Sequence, residues 1–285
     1  MINITSELAK QLVVEQFPEW SALQVRQVKK GGHDNRTFRL GETMSLRLPS
    51  HQAYAAAIEK EAKWLPYLAP RLDMAITTPI AKGEPSAIYP LPWSVNNWLE
   101  GEALSVAPVD MPQFAVDLAQ FLTQLQSLDA EDGPSAGAHS FYRGGDFAVY
   151  RQETEKAIQQ LADVVDTDRC QQILANALAT KWTKTPVWVH GDIASGNLLV
   201  KNRQLVAVID FGTSAIGDPA CDLVMAWTFF DQESREIFKK YLPLDEATWQ
   251  RAKGWALWKA LITYHAEDQD VRQSARHTLD AILSE

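Results

Sequence analysis

The residues best suited to chemistry fall in one stretch. His190, Asp192 and Asn197 lie within Val189-His190-Gly191-Asp192-Ile193-Ala194-Ser195-Gly196-Asn197-Leu198, and Val208-Ile209-Asp210-Phe211-Gly212 follows. The apolar residues before His190 read as a strand that delivers His190 and Asp192 into a tight loop. Asn197 stands five residues beyond Asp192, where the next strand begins. A hairpin turned at Asn202-Arg203 is then expected to return Asp210 beside Asn197. Three oxygen-bearing side chains, Asp192, Asn197 and Asp210, would converge. Hard oxygen donors of this kind, few and with room for water, suit Mg²⁺ shared with nucleotide phosphates. His190 reads better as a buried strut bonding loop backbone than as a proton carrier.

The elements that must position these residues differ along the chain. Ser6–Phe17 carries apolar residues at helical spacing and stops at Pro18. Leu23–Val28, Thr37–Leu40 and Met44–Leu48 read as short antiparallel strands, and Gln52–Leu68 as a helix. Strand-like pieces return at Ala75–Ala81 and Ile88–Leu99, broken by prolines. From Asp110 the chain turns helical, over Asp110–Leu128, Phe147–Ala162 and Asp168–Thr180, with a Gly/Ser/Pro-rich loop at Asp129–Gly145. Strands are expected at Pro186–His190, Leu198–Lys201 and Leu205–Ile209, then helices at Pro219–Phe230, Ala247–His265 and Val271–Leu283. This is an α+β chain in two lobes: residues 1–98, a small antiparallel sheet with a leading helix, and residues 99–285, mainly helical.

Charge follows the same division. The 285 residues hold 27 Lys and Arg against 36 Asp and Glu. Residues 1–100 have 11 basic and 10 acidic side chains, so the net of -10 in residues 101–285 contains the whole acidic excess. An acidic chain without a basic stripe is a poor binder of nucleic acid or anionic membranes. No apolar run approaches the ~18 residues of a membrane span. Cys170 and Cys221 make no disulfide framework or metal spacing, and Met1–Trp20 has no signal-like start, which points to a reducing cytoplasmic setting.

A His-x-Asp-x-x-x-x-Asn pattern alone arises by chance in roughly one chain in a hundred of this length. An Asp-Phe-Gly behind a hairpin of the right length matches the protein-kinase-like template. Further on, Gly217-Asp218-Pro219-Ala220-Cys221-Asp222-Leu223 offers Asp218 as an N-cap and Pro219 as a first helical residue. Asp222 is too deep to cap. With these motifs the chain resembles the aminoglycoside phosphotransferase and choline kinase superfamily, a small-molecule branch of the protein-kinase-like fold. Gly31-Gly32-His33-Asp34-Asn35 and Trp98-Leu99-Glu100-Gly101 are similar to that family's nucleotide loop and inter-lobe hinge. The resemblance therefore covers nearly the whole chain.

The resemblance implies a bilobal protein-kinase-like fold and transfer of the γ-phosphoryl of ATP or GTP to a small-molecule hydroxyl. It makes Asp192 the catalytic base, Asn197 and Asp210 the Mg²⁺ ligands, and Asp222 an anchor beneath the catalytic loop. Gly31, Gly32, Asn35, Trp98 and Leu99 would serve the nucleotide. The family's phosphate-holding Lys belongs on the third strand, paired with a helix Glu. Met44–Pro49 offers Arg47 instead, which can grip phosphate bidentately. Its partner by spacing is Glu61, with Glu59 second. Gly191 replaces the Arg that protein-substrate kinases carry after the His, and no Ala-Pro-Glu activation segment follows. Acceptor choice would fall to Asp129–Gly145 and the last helices. The acidic excess leans toward a cationic acceptor, to which Asp231, Glu233, Glu236, Glu267, Asp268 and Asp270 are candidates, although capping or solvation also explains them. Neither antibiotic resistance nor oligomeric state follows from these motifs. Two other classes remain: a metal-dependent hydrolase built on His190, Asp192 and Asp210, and a nucleotide-binding pseudoenzyme, which Arg47 in place of Lys keeps open.

Overall fold

The computed structural model describes residues 3–28, 34–104 and 108–285; Gly31 and Gly32 lie outside them. The chain forms two compact units, one made of residues up to Glu102 together with Val206–Gly212, the other of Ala103–Leu205 and Thr213–Glu285. A seven-residue segment from late in the sequence thus completes the first unit.

In the first unit, α1 (Ser6–Gln16) starts where the Thr5 hydroxyl accepts the Leu8 N–H at 3.2 Å. Strands β1 (Val25–Gln27), β2 (Asn35–Leu40), β3 (Met44–Pro49), β4 (Ala75–Ile76), β5 (Pro79–Gly83) and β6 (Trp93–Asn97) follow, with α2 (Gln52–Leu68) between β3 and β4. Five of them make an antiparallel sheet in the order β1-β2-β3-β6-β5. Central β3 is buried along its length, so both faces of Arg47's strand are covered. Leu12 and Val13 of α1 pack with Phe38, Leu46, Leu48, Trp93 and Val95 into one apolar core. The strand expected over Ala75–Ala81 is two strands. β4 leaves the five-stranded sheet and pairs in parallel with a strand of the returning segment, Ala75 opposite Ala207 and Ile76 opposite Val208. The piece expected over Ile88–Leu99 is a strand only over Trp93–Asn97, because Pro90 and Pro92 cannot donate to a ladder.

β7 (Glu102–Ala103) stands at the division. The second unit holds α3 (Met111–Ser127), α4 (Arg151–Gln160), α5 (Thr167–Leu178), β8 (Val187–Val189) and β9 (Leu198–Lys201). Next come β10 (Gln204–Val208), whose last residues enter the first unit, β11 (Ala215–Gly217), α6 (Met225–Thr228), α7 (Gln232–Tyr241), α8 (Glu246–Thr263) and α9 (Gln269–Leu283). The β9–β10 turn is Asn202-Arg203, both at positive φ, as a two-residue hairpin needs. α8 is the central helix, buried on nearly every side and packed by α4, α5 and α9. Pro219–Phe230 is not one helix: a 3₁₀ turn covers Pro219–Leu223 and α6 follows it. α7 stands where only isolated acids were expected, and Asp231 caps it by accepting the Ser234 N–H at 2.8 Å. Among the described residues, no helix is long and apolar enough to cross a membrane.

Candidate active site

In the second unit the site is built upward from Asp222. This carboxylate is fully buried, and its two oxygens accept the N–H groups of His190 and Gly191, each at 2.7 Å. Burial pushes the Asp222 carboxyl up, while the neighbouring His190 and the two N–H donors oppose that shift. His190, also fully buried, accepts the Asp192 N–H on Nδ1 at 3.1 Å, and its carbonyl accepts the Thr213 hydroxyl at 3.1 Å. Its ring is committed to shaping the loop. Gly191 has φ of +84°, and a Cβ there would sit 2.6 Å from the Thr213 carbonyl oxygen. Only glycine meets both demands, which is the physical reason an arginine is missing at this position.

The loop so fixed leaves Asp192 exposed. Asn197 closes a short 3₁₀ turn, Ser195–Asn197, and its Nδ2 donates to Asp192 Oδ2 and to the Asp192 carbonyl, both at 2.9 Å. With Nδ2 turned to Asp192, Oδ1 is the atom Asn197 can offer a cation. Asp192 opens on a cavity of about 390 Å³. The loop Gly191–Ser195 forms one wall; Trp255, Trp258 and Lys259 of α8, residues of α9, and Arg143 form others. The Arg143 guanidinium lies 5.0 Å from the Trp255 ring centroid and 4.7 Å from that of Trp258. Its Nε donates to the Gly191 carbonyl at 3.2 Å.

In the first unit, Arg47 and Glu61 are both buried, and Arg47 Nη1 donates to the two Glu61 oxygens at 2.8 and 3.0 Å. Nη2 donates to Asp210 Oδ1 at 2.7 Å. Burial alone would lower the Arg47 pKa, but Asp210 and Glu61 outweigh it and raise it further. Burial pushes Glu61 up against the pull of Arg47. Glu59 is engaged elsewhere, accepting from Lys82 at 2.8 Å. Asp210 sits at φ +67°, a left-handed conformation that Asp tolerates better than most side chains. Asn35 is buried at the start of β2; the Trp98 N–H donates to the Thr43 carbonyl at 2.7 Å, and Leu99 is half-buried.

The structure therefore brings Asp192, Asn197, His190 and Asp222 together in one unit, and Arg47, Glu61 and Asp210 in the other. Asp231 and Asp268 are helix N-caps, while Asp270 lines the cavity. Asp218 caps the 3₁₀ turn as expected and in addition holds Arg251 at 2.6 Å in a buried ion pair. Arg143, Lys259, Trp255, Trp258 and Thr213 were not singled out from sequence. No local pattern marks them, because packing rather than spacing gathers them. Among the described residues, no cluster of three or more His, Cys, Asp and Glu offers an all-protein metal cage. Asn197 in the second unit has an amide oxygen and Asp210 in the first a carboxylate, the hard oxygen donor types that suit Mg²⁺.

The model of the phosphotransferase enzyme family matches residues 25–255, and the chain belongs to that family. No curated protein matches the chain. Its fold is that of solved structures with which it shares little sequence. Wild-type aminoglycoside 2'-phosphotransferase-IIIa in complex with GDP is 20% identical, with a TM-score of 0.74 and 99% of each chain covered. A gentamicin complex of a second aminoglycoside phosphotransferase is 19% identical, with a TM-score of 0.64 and 99% of each chain covered. Macrolide 2'-phosphotransferase from Brachybacterium faecium is 21% identical, with a TM-score of 0.61, covering 96% of this chain and 97% of that one.

Proposed function

We propose that this phosphotransferase is a kinase that moves the γ-phosphoryl group of ATP or GTP onto a hydroxyl of a small molecule. The observation that carries the reading is the loop from His190 to Asn197. It is held from below by Asp222 and presents an exposed carboxylate, Asp192, to a cavity of about 390 Å³. That volume suits a small-molecule acceptor. Asp192 accepts the acceptor's hydroxyl proton as the oxygen attacks phosphorus, and Asn197 fixes the carboxylate's direction. Asp222 and His190 keep the loop in place and touch no reactant.

The first unit is the nucleotide lobe in this reading. Arg47 holds α- and β-phosphate oxygens, with Glu61 setting its position, and Asn35, Trp98 and Leu99 border the nucleotide. Gly31 and Gly32 belong to the same role by sequence. Mg²⁺, when held by Asn197 and Asp210, neutralises phosphate charge. Solved relatives carrying GDP, and one carrying streptomycin with ATP, support a nucleoside triphosphate as donor. Catalysis of this kind rests on positioning and electrostatics. The buried free thiols Cys170 and Cys221 accord with a cytoplasmic setting.

The hydrolase alternative loses its ligand, since His190 is buried and its Nδ1 is taken by the Asp192 N–H. The test is Asp192→Ala against the parent protein, with ADP release over hydroxylated metabolites and antibiotics and a thermal shift with ATP and Mg²⁺. Transfer should vanish while the nucleotide shift persists. Near-native turnover in the variant would remove Asp192 as the base.

A further inference from the structure

The whole of residues 101–285 is acidic, yet the charges facing the cavity are not. Two acids, Asp192 and Asp270, are matched by two cations, Arg143 and Lys259. Asp192 is engaged by Asn197 and is needed for the hydroxyl. Asp270 stands in the first turn of α9, where the helix dipole favours a carboxylate without any ligand. The cations have no such explanation. Neither makes an ion pair among the described residues. Arg143 spends one donor on the Gly191 carbonyl, and its Nη1 is buried with no hydrogen-bond acceptor. The Lys259 ammonium lies 5.9 Å from the Trp258 ring centroid. Glu153 on α4, the other acid near Lys259, is occupied by the Trp258 indole N–H at 2.6 Å. Crowding by protein, then repulsion from Arg143, lowers the Lys259 pKa against the pull of Asp192 and Glu153, so the two cations feel one another.

Around them the cavity is aromatic and aliphatic. Trp258 is stacked on Tyr150 at 4.0 Å and lies beneath Arg143, while Val224 and Val271 line other parts. Two cations close enough to repel, neither in an ion pair among the described residues, on an apolar wall beside the base, are suited to an anion that bridges them. A polycationic acceptor would meet both.

We infer that the acceptor of this site is a largely apolar or aromatic alcohol bearing a carboxylate or phosphate, whose anionic group binds between Arg143 and Lys259 while its hydroxyl faces Asp192. This rests on the kinase reading for the identity of the ligand as acceptor. In the transfer the acceptor oxygen bonds to the γ-phosphorus, the bond from that phosphorus to the bridging oxygen breaks to release the nucleoside diphosphate, and the hydroxyl proton passes to Asp192. The anionic group is a handle and does not react.

The test uses the full chain and three para-substituted benzyl alcohols whose second substituent is an anion, a neutral group or a cation: para-(hydroxymethyl)benzoate, para-(hydroxymethyl)benzyl alcohol and para-(hydroxymethyl)benzylamine. Titration calorimetry should show the benzoate binding about tenfold tighter than the amine, the worth of one charge-assisted hydrogen bond. Exposed Lys259 can be changed without disturbing the core, and Lys259→Gln should erase the advantage; Arg143→Gln should do the same. Equal or tighter binding of the alcohol or amine, no binding of the benzoate, or an advantage surviving Lys259→Gln overturns the inference. So does a Lys259→Gln variant that loses ATP affinity instead, since the cations would then serve the donor. ATP with Mg²⁺ is titrated separately. Failure of that binding sinks the kinase reading while the benzoate preference stands, and a missing preference with intact ATP binding sinks only the anionic acceptor.

Discussion

Arg47 holds Asp210 through a 2.7 Å bond that spans 163 residues of sequence. The same guanidinium grips Glu61, so one planar group joins a strand, a helix and the segment that returns from the second unit. A lysine ammonium could reach one carboxylate well but not serve both as a fork. Arg47→Met, which strands the buried Glu61 carboxylate, should cost about 3 kcal/mol in urea denaturation. Arg47→Lys should cost about 1–2 kcal/mol and weaken nucleotide binding less than Arg47→Met does.

Gly191→Ala places a methyl group 2.6 Å from the Thr213 carbonyl oxygen at a positive φ. The expected loss of stability is about 1–2 kcal/mol. Because Asp192 is the next residue, turnover should fall more steeply than the melting temperature suggests. Parallel thermal melts and ADP-release rates check both parts.

Asp222→Asn is nearly isosteric, yet an amide has one acceptor oxygen and the site needs two. Both carboxylate oxygens accept backbone N–H groups, so the new NH₂ must face a donor. A loss of about 2–3 kcal/mol is expected in denaturant melts, with kcat lowered and the affinity for nucleotide kept.

Acid should weaken the second unit through Glu285. Burial pushes this carboxyl up, but hydrogen bonds from Lys253 and Trp227, together with Lys253 charge and an Arg235 hydrogen bond, bring it down to about 2 from 4.5. A depressed carboxyl contributes stability above its unfolded value and loses it as pH falls. The window is therefore from about 4.5 down to about 2. After allowance for solvent screening the loss should be about 1–2 kcal/mol. Glu285→Gln should flatten that part of the melting-temperature profile.

Much of the site is legible in sequence because its parts are local. His190, Asp192 and Asn197 share one loop, and the Arg47–Glu61 pair needs only a strand and the helix after it. The bond from Asp222 to the loop spans 31 and 32 residues, and only the family resemblance pointed to it. The Arg47–Asp210 bond had no sequence signal, because nothing near either residue records the other. α7 was missed for a different reason: its ten residues hold few apolar positions, and its acids drew the eye as possible ligands. The cations of the cavity were hidden by arithmetic, since a large acidic excess elsewhere masks two positive groups that have no ion-pair partner among the described residues.

The segment Val206–Gly212 sets a timetable for the ribosome. Strand β4 lacks its parallel neighbour, and Arg47 lacks Asp210, until this segment has been made. Until then Arg47 can have only Glu61 of its two carboxylate partners. The first unit is begun first and waits through Ala103–Leu205 for its last segment, yet its residues are complete before Thr213–Glu285 of the second have been made. Any split of the gene product into two separately made halves must place Val206–Gly212 with the earlier half, or leave that half incomplete.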